Sequence, residues 1–223
     1  MANQRKPGTT YADTVYELLL GEFMDGTWGP SQQVNIPTVA RAFNVSQTPV
    51  REALARLEHT GLVTREPLKG YRVAALFTEP ELLKLMDARL VLEPALTLEA
   101  GRRVTPEFLG ELLVTVADMV SASGMESMHD HWAADDAFHS LISRQSANPF
   151  LDAAYRSIGG QVRRFRLLAR LSSNSARLAA ADHQAIYSAL EARKPDKAAE
   201  LARAHVENAR TRALADRQSI GAT

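Results

Sequence analysis

Apolar residues recur at helical spacing in three stretches near the start of the chain. The first stretch, residues 10–25, predicts an amphipathic helix. A second, short helix is expected at about 36–43, and Asn44 suits the turn after it because asparagine tolerates the left-handed backbone conformation. A third helix has Pro49 near its first turn and ends at Gly61. The pattern therefore predicts three short helices, the second and third joined by a tight turn.

A short β-hairpin is predicted directly after the third helix. The segments LVTRE and YRVAAL are rich in β-forming residues, and the turn residues Pro67-Leu68-Lys69-Gly70 lie between them. Three helices followed by a hairpin are typical of a winged helix-turn-helix domain. We predict such a domain over residues 10–76.

The remainder of the chain is predicted to be helical throughout. Thr78 and Glu81 form a capping box at the start of the first helix of this region. Helices are expected at about 78–101, 105–121, 129–144, 148–171, 174–193 and 195–212. Short connections between six helices indicate an all-α antiparallel bundle over residues 78–215, so the fold class is mainly α. The pair Gly159-Gly160 is expected to weaken or bend the fourth of these helices.

Composition excludes several classes of protein. Hydrophobic residues make up 45% of the chain and charged residues 23%, which is typical of a globular protein. No uncharged apolar stretch has the length of a membrane-spanning helix, and the N-terminus has no export signal, so we expect a cytoplasmic protein with no membrane partner. The sequence contains no cysteine, so any metal must be held by His, Asp or Glu.

The net charge of zero hides a local excess of basic residues. Residues 35–73 contain six basic and three acidic side chains. An α-helix fits the major groove of DNA, where arginine pairs with guanine and glutamine with adenine, and hydroxyl groups hold phosphates. The candidate DNA-binding residues are Ser46, Gln47, Thr48 and Arg51 on the third helix, and Lys69 and Gly70 at the tip of the wing. The alternative is that Arg51 pairs with Glu52 or Glu58 on a solvated helix face.

The N-terminal region resembles the GntR family of bacterial transcription regulators. The resemblance covers residues 10–76 and is carried by VARAFNVSQTPVREALARLEHTGLV and KGYRVAAL. It implies docking of the third helix in the major groove, with Thr48, Arg51 and Gly70 at the DNA. Gln47 stands where the family usually has arginine, and Ile36-Pro37 replace its usual residues, so the family's base preference is not transferred.

Four residues of the helical region are candidates for binding one metal ion. Asp135 and His139 are four residues apart, so they lie on one helix face. His183 and His205 are at similar distances from the turn at Pro195, which brings them level across a helical hairpin. One carboxylate and three imidazoles suit a divalent transition metal such as zinc, nickel, copper or manganese. The alternative is that these histidines are scattered core or surface residues; His129 and His131 receive no role.

The helical region resembles the FadR C-terminal-type effector domain, abbreviated FCD, of one branch of the GntR family. The resemblance is carried by Arg89-x-x-x-Glu93, Asp135-x-x-Phe138-His139, Asn148, His183-x-x-Ile186 and His205. It implies that Asp135, His139, His183 and His205 hold the metal and that a small organic acid binds beside it. Six helices are more similar to the shorter, VanR-like version of this domain.

A carboxylate or sugar-acid effector that binds the metal through one oxygen needs a cation for its remaining charge. Arg89 is the best candidate, and Glu93, one helical turn later, can orient it. At least one of Arg163, Arg164, Arg166 and Arg170 could line the same cavity, whereas helical phase sends the others to solvent.

The predicted function is a ligand-responsive transcription regulator that binds a palindromic DNA operator as a homodimer. We expect a repressor, although the sequence does not determine which state binds DNA. The alternatives are a sensor of the metal itself, a purely structural ion, and a His/Asp metalloenzyme. The metalloenzyme is disfavoured because no HExxH or comparable motif is present.

Overall fold

The computed structural model describes residues 10–24, 27–122, 128–168 and 173–221, and the chain divides into two compact units between Leu76 and Phe77. The first unit contains α1 (Tyr11–Met24), β1 (Gln33–Val34), α2 (Ile36–Ala42), α3 (Gln47–His59), β2 (Val63–Glu66) and β3 (Gly70–Val73). The second unit contains α4 (Glu79–Gly101), α5 (Pro106–Ser121), α6 (Met128–Gln145), α7 (Pro149–Leu168), α8 (Ser173–Glu191) and α9 (Pro195–Gly221).

The first unit is built around the packing of α1 against α3. Val15 and Leu19 of α1 and Val50 and Leu54 of α3 are fully buried, as their helical spacing predicts. Asn44 adopts a φ of 53° in the turn between α2 and α3. This left-handed residue turns the chain sharply, so that α3 begins only a few residues after α2 ends.

The strands form a three-stranded antiparallel sheet in the order β1-β3-β2. The predicted hairpin pairs Val63 with Val73 and Glu66 with Gly70. The short strand β1, which the sequence analysis did not predict, joins the other edge of β3. Two residues are too few to show the alternation of apolar and polar side chains that identifies a strand.

The second unit contains six helices within the described residues, and their starts follow the predicted caps. Thr78 and Glu81 form the expected capping box, and Asn148 accepts hydrogen bonds from the backbone N–H groups of Phe150 and Leu151. The helix α7 continues through Gly159 and Gly160, and α9 extends to Gly221, beyond the predicted end near residue 212. The predicted fold class, mainly α with a winged helix-turn-helix unit and a helical bundle, is confirmed.

The long helix α4 is central to the bundle because it packs against α6, α7 and α9. Elsewhere in the bundle, α5 packs against α6 and α8 packs against α9. The apolar core lies between these helices, and Leu112, Phe138 and Leu190 are fully buried in it. No helix of the described part of the chain is long and apolar enough to cross a membrane.

Gly101 at the end of α4 makes a close contact with the start of α9. A Cβ atom at Gly101 would lie 2.9 Å from Cβ of Pro195 and 3.2 Å from Cδ2 of Leu190. Gly101→Ala is therefore expected to lower the free energy of unfolding by about 1–3 kcal/mol, because the added methyl group overpacks a tight helix contact. Urea denaturation measures this change.

Gly110→Ala in α5 is the matched control for this substitution. Nothing lies within 4 Å of a Cβ atom at Gly110, so the alanine is expected to raise helix stability by about 0.5–1 kcal/mol. Equal effects of the two substitutions would contradict a steric role for Gly101.

Candidate functional site

The first turn of α3 lies on the surface of the protein. Ser46, Gln47, Thr48 and Arg51 are all exposed. Ser46 is the N-cap residue, but its side chain makes no capping hydrogen bond. The side chain therefore leaves the N–H groups at the start of α3 available, and these groups favour an anion such as a phosphate.

Arg51 and Gln47 lie side by side on this surface. The Nη2 group of Arg51 donates a hydrogen bond to Oε1 of Gln47, with a distance of 3.4 Å. The alternative pairing of Arg51 with Glu52 or Glu58 is absent from the described residues. A long hydrogen bond between exposed groups is readily exchanged for a contact with a base.

The tip of the wing is exposed, and hydrogen bonds connect it to the sheet. Lys69 is exposed, and Gly70 has a φ of 89°, a conformation that favours glycine. The side-chain amide of Gln33 donates a hydrogen bond of 2.9 Å to the backbone oxygen of Lys69. On the other side of the wing, Arg72 Nε donates to Glu66 Oε1 at 2.8 Å. These contacts fix the wing tip relative to the sheet.

Three of the four predicted metal ligands form a buried cluster in the helical bundle. His139 of α6, His183 of α8 and His205 of α9 each offer one ring nitrogen, and these atoms lie within 4.8 Å of one another. Asp135 Oδ1 lies 3.3 Å from His183 Nε2 and 3.9 Å from His139 Nε2. The structure thus places Asp135 beside the histidines, as its spacing to His139 predicts.

The Nε2 atoms of His139 and His183 are close enough to share a proton or a metal ion. The Nδ1–H group of His183 donates to the backbone oxygen of Ala179 at 2.7 Å, so a neutral ring has a lone pair on Nε2. His139 Nδ1 faces Glu93 Oε2 at 3.6 Å. The two Nε2 atoms lie only 3.1 Å apart. Two lone pairs cannot face each other at this distance without a proton or a metal ion between them.

His205 faces a carboxylate of α8. Its Nδ1 lies 3.5 Å from Asp182 Oδ2, which leaves Nε2 for the cluster. Arg212 and Asn208 both donate hydrogen bonds to Asp182. Burial raises the pKa of Asp182, but His205 and Arg212 outweigh that effect and hold the pKa below its usual value. Asp182 therefore remains ionised and can fix the ring orientation of His205.

Arg89 and Glu93 form a buried ion pair next to the histidine cluster. Arg89 Nε donates to Glu93 Oε1 at 2.6 Å, and Arg89 Nη2 donates to Glu93 Oε2 at 3.3 Å. Both side chains are at most 4% exposed. Glu93 thus contacts the predicted effector cation and also faces His139, a predicted metal ligand. The sequence analysis predicted the first of these contacts and missed the second.

Two arginines of α7, Arg163 and Arg164, contact side chains outside the histidine cluster. Arg163 Nη2 donates to Asp136 Oδ2 at 2.6 Å, and the guanidinium of Arg164 lies 4.0 Å from the ring centroid of Phe77. The described part of the structure does not include the side chains of Arg166, Arg170 and His129. His131 is buried with Nδ1 bonded to the backbone oxygen of Met119.

Comparison with known proteins gives a consistent result for both units. Residues 11–73 match the family described as bacterial regulatory proteins, gntR family, and residues 84–208 match the FCD domain. The HTH-type transcriptional repressor GlaR of Escherichia coli K12 is 28% identical over 199 residues, which cover 86% of this chain and 90% of that protein. The Nta operon transcriptional regulator of Aminobacter aminovorans is 30% identical over 178 residues, which cover 80% of this chain and 82% of that protein.

The solved structures include the same fold. A transcriptional regulator GntR from Rhodococcus sp. RHA1 superimposes with a TM-score of 0.73 and 23% sequence identity. The alignment covers 93% of this chain and 99% of that chain.

Fold and comparisons together define a transcription regulator, with a DNA-binding winged helix-turn-helix unit and a helical effector domain, rather than an enzyme. The chain belongs to the GntR family of bacterial regulatory proteins and carries the FCD domain. The predicted family is therefore confirmed, and the metalloenzyme alternative is not supported.

Proposed function

We propose that this chain is a homodimeric repressor that binds a palindromic operator and responds to a small organic acid. The observation that carries the proposal is the exposed polar first turn of α3, whose Ser46 side chain makes no capping hydrogen bond. Repression is proposed because the relative GlaR is a transcriptional repressor. Two copies of α3 in a symmetric dimer reach major-groove faces about one turn of DNA, or 34 Å, apart, so the operator is an inverted repeat.

The proposed DNA contacts are of two kinds, contacts to bases and contacts to the phosphate backbone. Arg51 pairs with guanine through two N–H groups, and Gln47 pairs with adenine through its amide. Ser46 and Thr48 hold a phosphate together with the N–H groups at the start of α3. At the wing, Lys69 binds phosphate, and Gly70 allows the backbone to approach the DNA closely.

Arg51→Ala is expected to weaken operator binding by about 1–3 kcal/mol, because a bidentate contact to guanine is lost. The probe is a duplex selected from random sequences with the wild-type protein, and the measurement is a mobility-shift titration at fixed salt. Arg102→Ala is the control, because Arg102 is an exposed arginine that pairs with Glu99 in the other unit. Equal affinity of Arg51→Ala and wild type would remove the assigned base contact.

We further propose that Asp135, His139, His183 and His205 hold one divalent transition metal such as zinc, nickel or manganese. The support is the donor set, since three buried imidazoles and a carboxylate converge and the Nδ1 atoms of the rings face other acceptors. Bound there, the ion supplies a Lewis-acidic centre with open positions for carboxylate oxygens.

The effector is proposed to be a small carboxylate or sugar acid that contacts this centre and Arg89. Glu93 occupies Nε and Nη2 of Arg89, whereas Nη1 faces Met86 Sδ at 3.7 Å. Nη1 is therefore the group that an effector carboxylate can recruit without displacing Glu93. In this arrangement Glu93 orients Arg89 for the effector and His139 for the metal.

A further inference from the structure

His131, on α6, is fully buried but uses only one of its two ring nitrogens for a hydrogen bond within the described part of the chain. Its Nδ1 atom lies 3.2 Å from the backbone oxygen of Met119, so Nδ1 carries the proton of a neutral ring. Nε2 then has a lone pair, for which the described residues offer no donor. Buried polar atoms without a partner are rare in native proteins, so Nε2 of His131 requires an explanation.

The contacts of His131 hold its ring in one orientation. Met119 belongs to α5, so the hydrogen bond to its backbone oxygen connects two helices. The buried ring of Trp132 contacts His131 edge to face, with ring centroids 5.0 Å apart and planes at 79°. The fold therefore keeps a buried hydrogen-bond acceptor at a fixed position. Binding sites place the few polar groups that recognise a ligand in this way.

His131 lies next to the proposed metal and effector site. It precedes the proposed metal ligand Asp135 by four residues, so the two side chains are neighbours on one face of α6. Asp135 Oδ1 in turn lies 3.3 Å from His183 Nε2. Four residues of a helix rise by about 6 Å, which is the length of a small organic molecule. A ligand that begins at the metal can therefore end at His131.

We propose that Nε2 of His131 accepts a hydrogen bond from a hydroxyl group of the effector. This contact belongs to the effector site proposed above and rests on that proposal, in which the effector carboxylate contacts the metal and Arg89. Because burial has already removed water from Nε2, the hydrogen bond forms without a further cost of desolvating the protein. An acid that lacks the hydroxyl group leaves Nε2 without a partner and therefore binds more weakly.

The distance to His131 determines the class of acid. A carbon–carbon bond is about 1.5 Å long, so a chain of about five or six carbons spans the rise of about 6 Å between Asp135 and His131. The hydroxyl group is therefore several bonds away from the carboxylate, as in the sugar acids, and not beside it, as in a 2-hydroxy acid. A second carboxylate is disfavoured at this end, because it has no proton to donate to the lone pair of Nε2.

The first test compares acids with the same carbon chain and one hydroxyl group at different positions. The probes are hexanoate, 2-hydroxyhexanoate, 5-hydroxyhexanoate, 6-hydroxyhexanoate and the dicarboxylate adipate, and isothermal titration calorimetry with zinc-loaded protein gives their Kd values. The 5-hydroxy or the 6-hydroxy acid is expected to bind about tenfold more tightly than hexanoate, because it gains a hydrogen bond to a buried acceptor. Adipate is expected to bind no more tightly than hexanoate.

Two substitutions separate the ligand contact of His131 from its packing. His131→Asn keeps an N–H group for the backbone oxygen of Met119 but removes the acceptor at the position of Nε2. It is expected to abolish the advantage of the distant hydroxyl group and to change the Kd of hexanoate and 2-hydroxyhexanoate by less than about twofold. His131→Gln, whose longer side chain carries an amide oxygen toward the position of Nε2, is expected to restore part of the advantage. Both variants are expected to keep the zinc-induced rise in melting temperature, which shows that they are folded.

The outcomes distinguish failure of this contact from failure of the proposed function. If carboxylates bind zinc-loaded protein but neither distant hydroxyl group adds affinity, His131 has only a structural role and the effector site stands. A preference for the distant hydroxyl group that survives in His131→Asn overturns the contact as well, and so does adipate if it binds more tightly than both hydroxy acids. If no carboxylate binds, the effector site and the contact with His131 both fail.

Discussion

Zinc-loaded protein is expected to unfold at a higher temperature than chelator-treated protein, and His183→Ala is expected to abolish this difference. His183 is fully buried, and its Nε2 lies 3.1 Å from His139 Nε2 and 3.3 Å from Asp135 Oδ1. Removal of this central ring takes away one ligand and the packing of the other two. Ligand binding to the native state stabilises by about 4 kcal/mol at a metal concentration a thousandfold above Kd, so the lost shift is large.

The matched control is His131→Ala, another fully buried histidine, whose Nδ1 bonds to the backbone oxygen of Met119. This variant is expected to be less stable than wild type with and without zinc, but to keep the zinc-induced shift. Differential scanning calorimetry gives the shifts, and elemental analysis after dialysis gives the metal content. A zinc shift that survives in His183→Ala would refute the metal site.

Melting temperatures from the same calorimetry also test the effector proposal. Carboxylates and sugar acids are added to zinc-loaded protein, and a further rise in melting temperature identifies a binder of the native state. If zinc alone changes operator binding in acid-free buffer, the ion is the signal and the chain is a metal sensor. If zinc binds and no acid shifts the melting temperature, the ion is structural and the effector proposal fails.

Glu93→Gln is expected to lower the free energy of unfolding by about 3–5 kcal/mol, because it leaves the guanidinium of Arg89 buried without a compensating charge. Arg89 is 1% exposed, so water cannot replace the lost carboxylate. Replacement of both residues, as Arg89→Met with Glu93→Leu, is expected to recover most of the loss because no charge stays buried. Urea denaturation measures both values.

Glu99→Gln on the same helix is the control for this substitution. Glu99 pairs with Arg102 and Arg103, which are 55% and 46% exposed in their side chains. Solvent screens these pairs, so the loss of stability is expected to be much smaller than that for Glu93→Gln. If Glu93→Gln and Glu99→Gln lower the free energy of unfolding by similar amounts, burial does not increase the cost of losing the Glu93 carboxylate.

Local signals in the sequence were sufficient to predict most of the fold. Thr78 and Glu81 form the predicted capping box, and Asn44 takes the predicted left-handed conformation. Both signals depend on neighbouring residues alone. The strand β1 escaped prediction because Gln33 and Val34 pair with a distant part of the chain, at Tyr71 and Arg72.

The geometry of the histidine cluster was predictable only in part. The positions of His183 and His205 along their helix axes follow from counting residues on either side of one turn. The centroids of their rings lie 4.4 Å apart. Which acceptor faces the Nδ1 atom of each ring depends on the rotation of the helices about their axes. It also depends on residues that are distant in sequence, such as Glu93, which faces His139. Periodicity fixes which face of a helix is buried, but not which neighbouring helix that face meets.

The ligands of the proposed metal site come from three helices, and the acceptor of His139 comes from a fourth, α4. An ion at this site ties together residues as distant in sequence as Asp135 and His205. In a chain without cysteine, such an ion acts as a removable cross-link that closes a long loop, as a disulfide does in secreted proteins. Chelation then loosens the whole bundle without breaking a covalent bond.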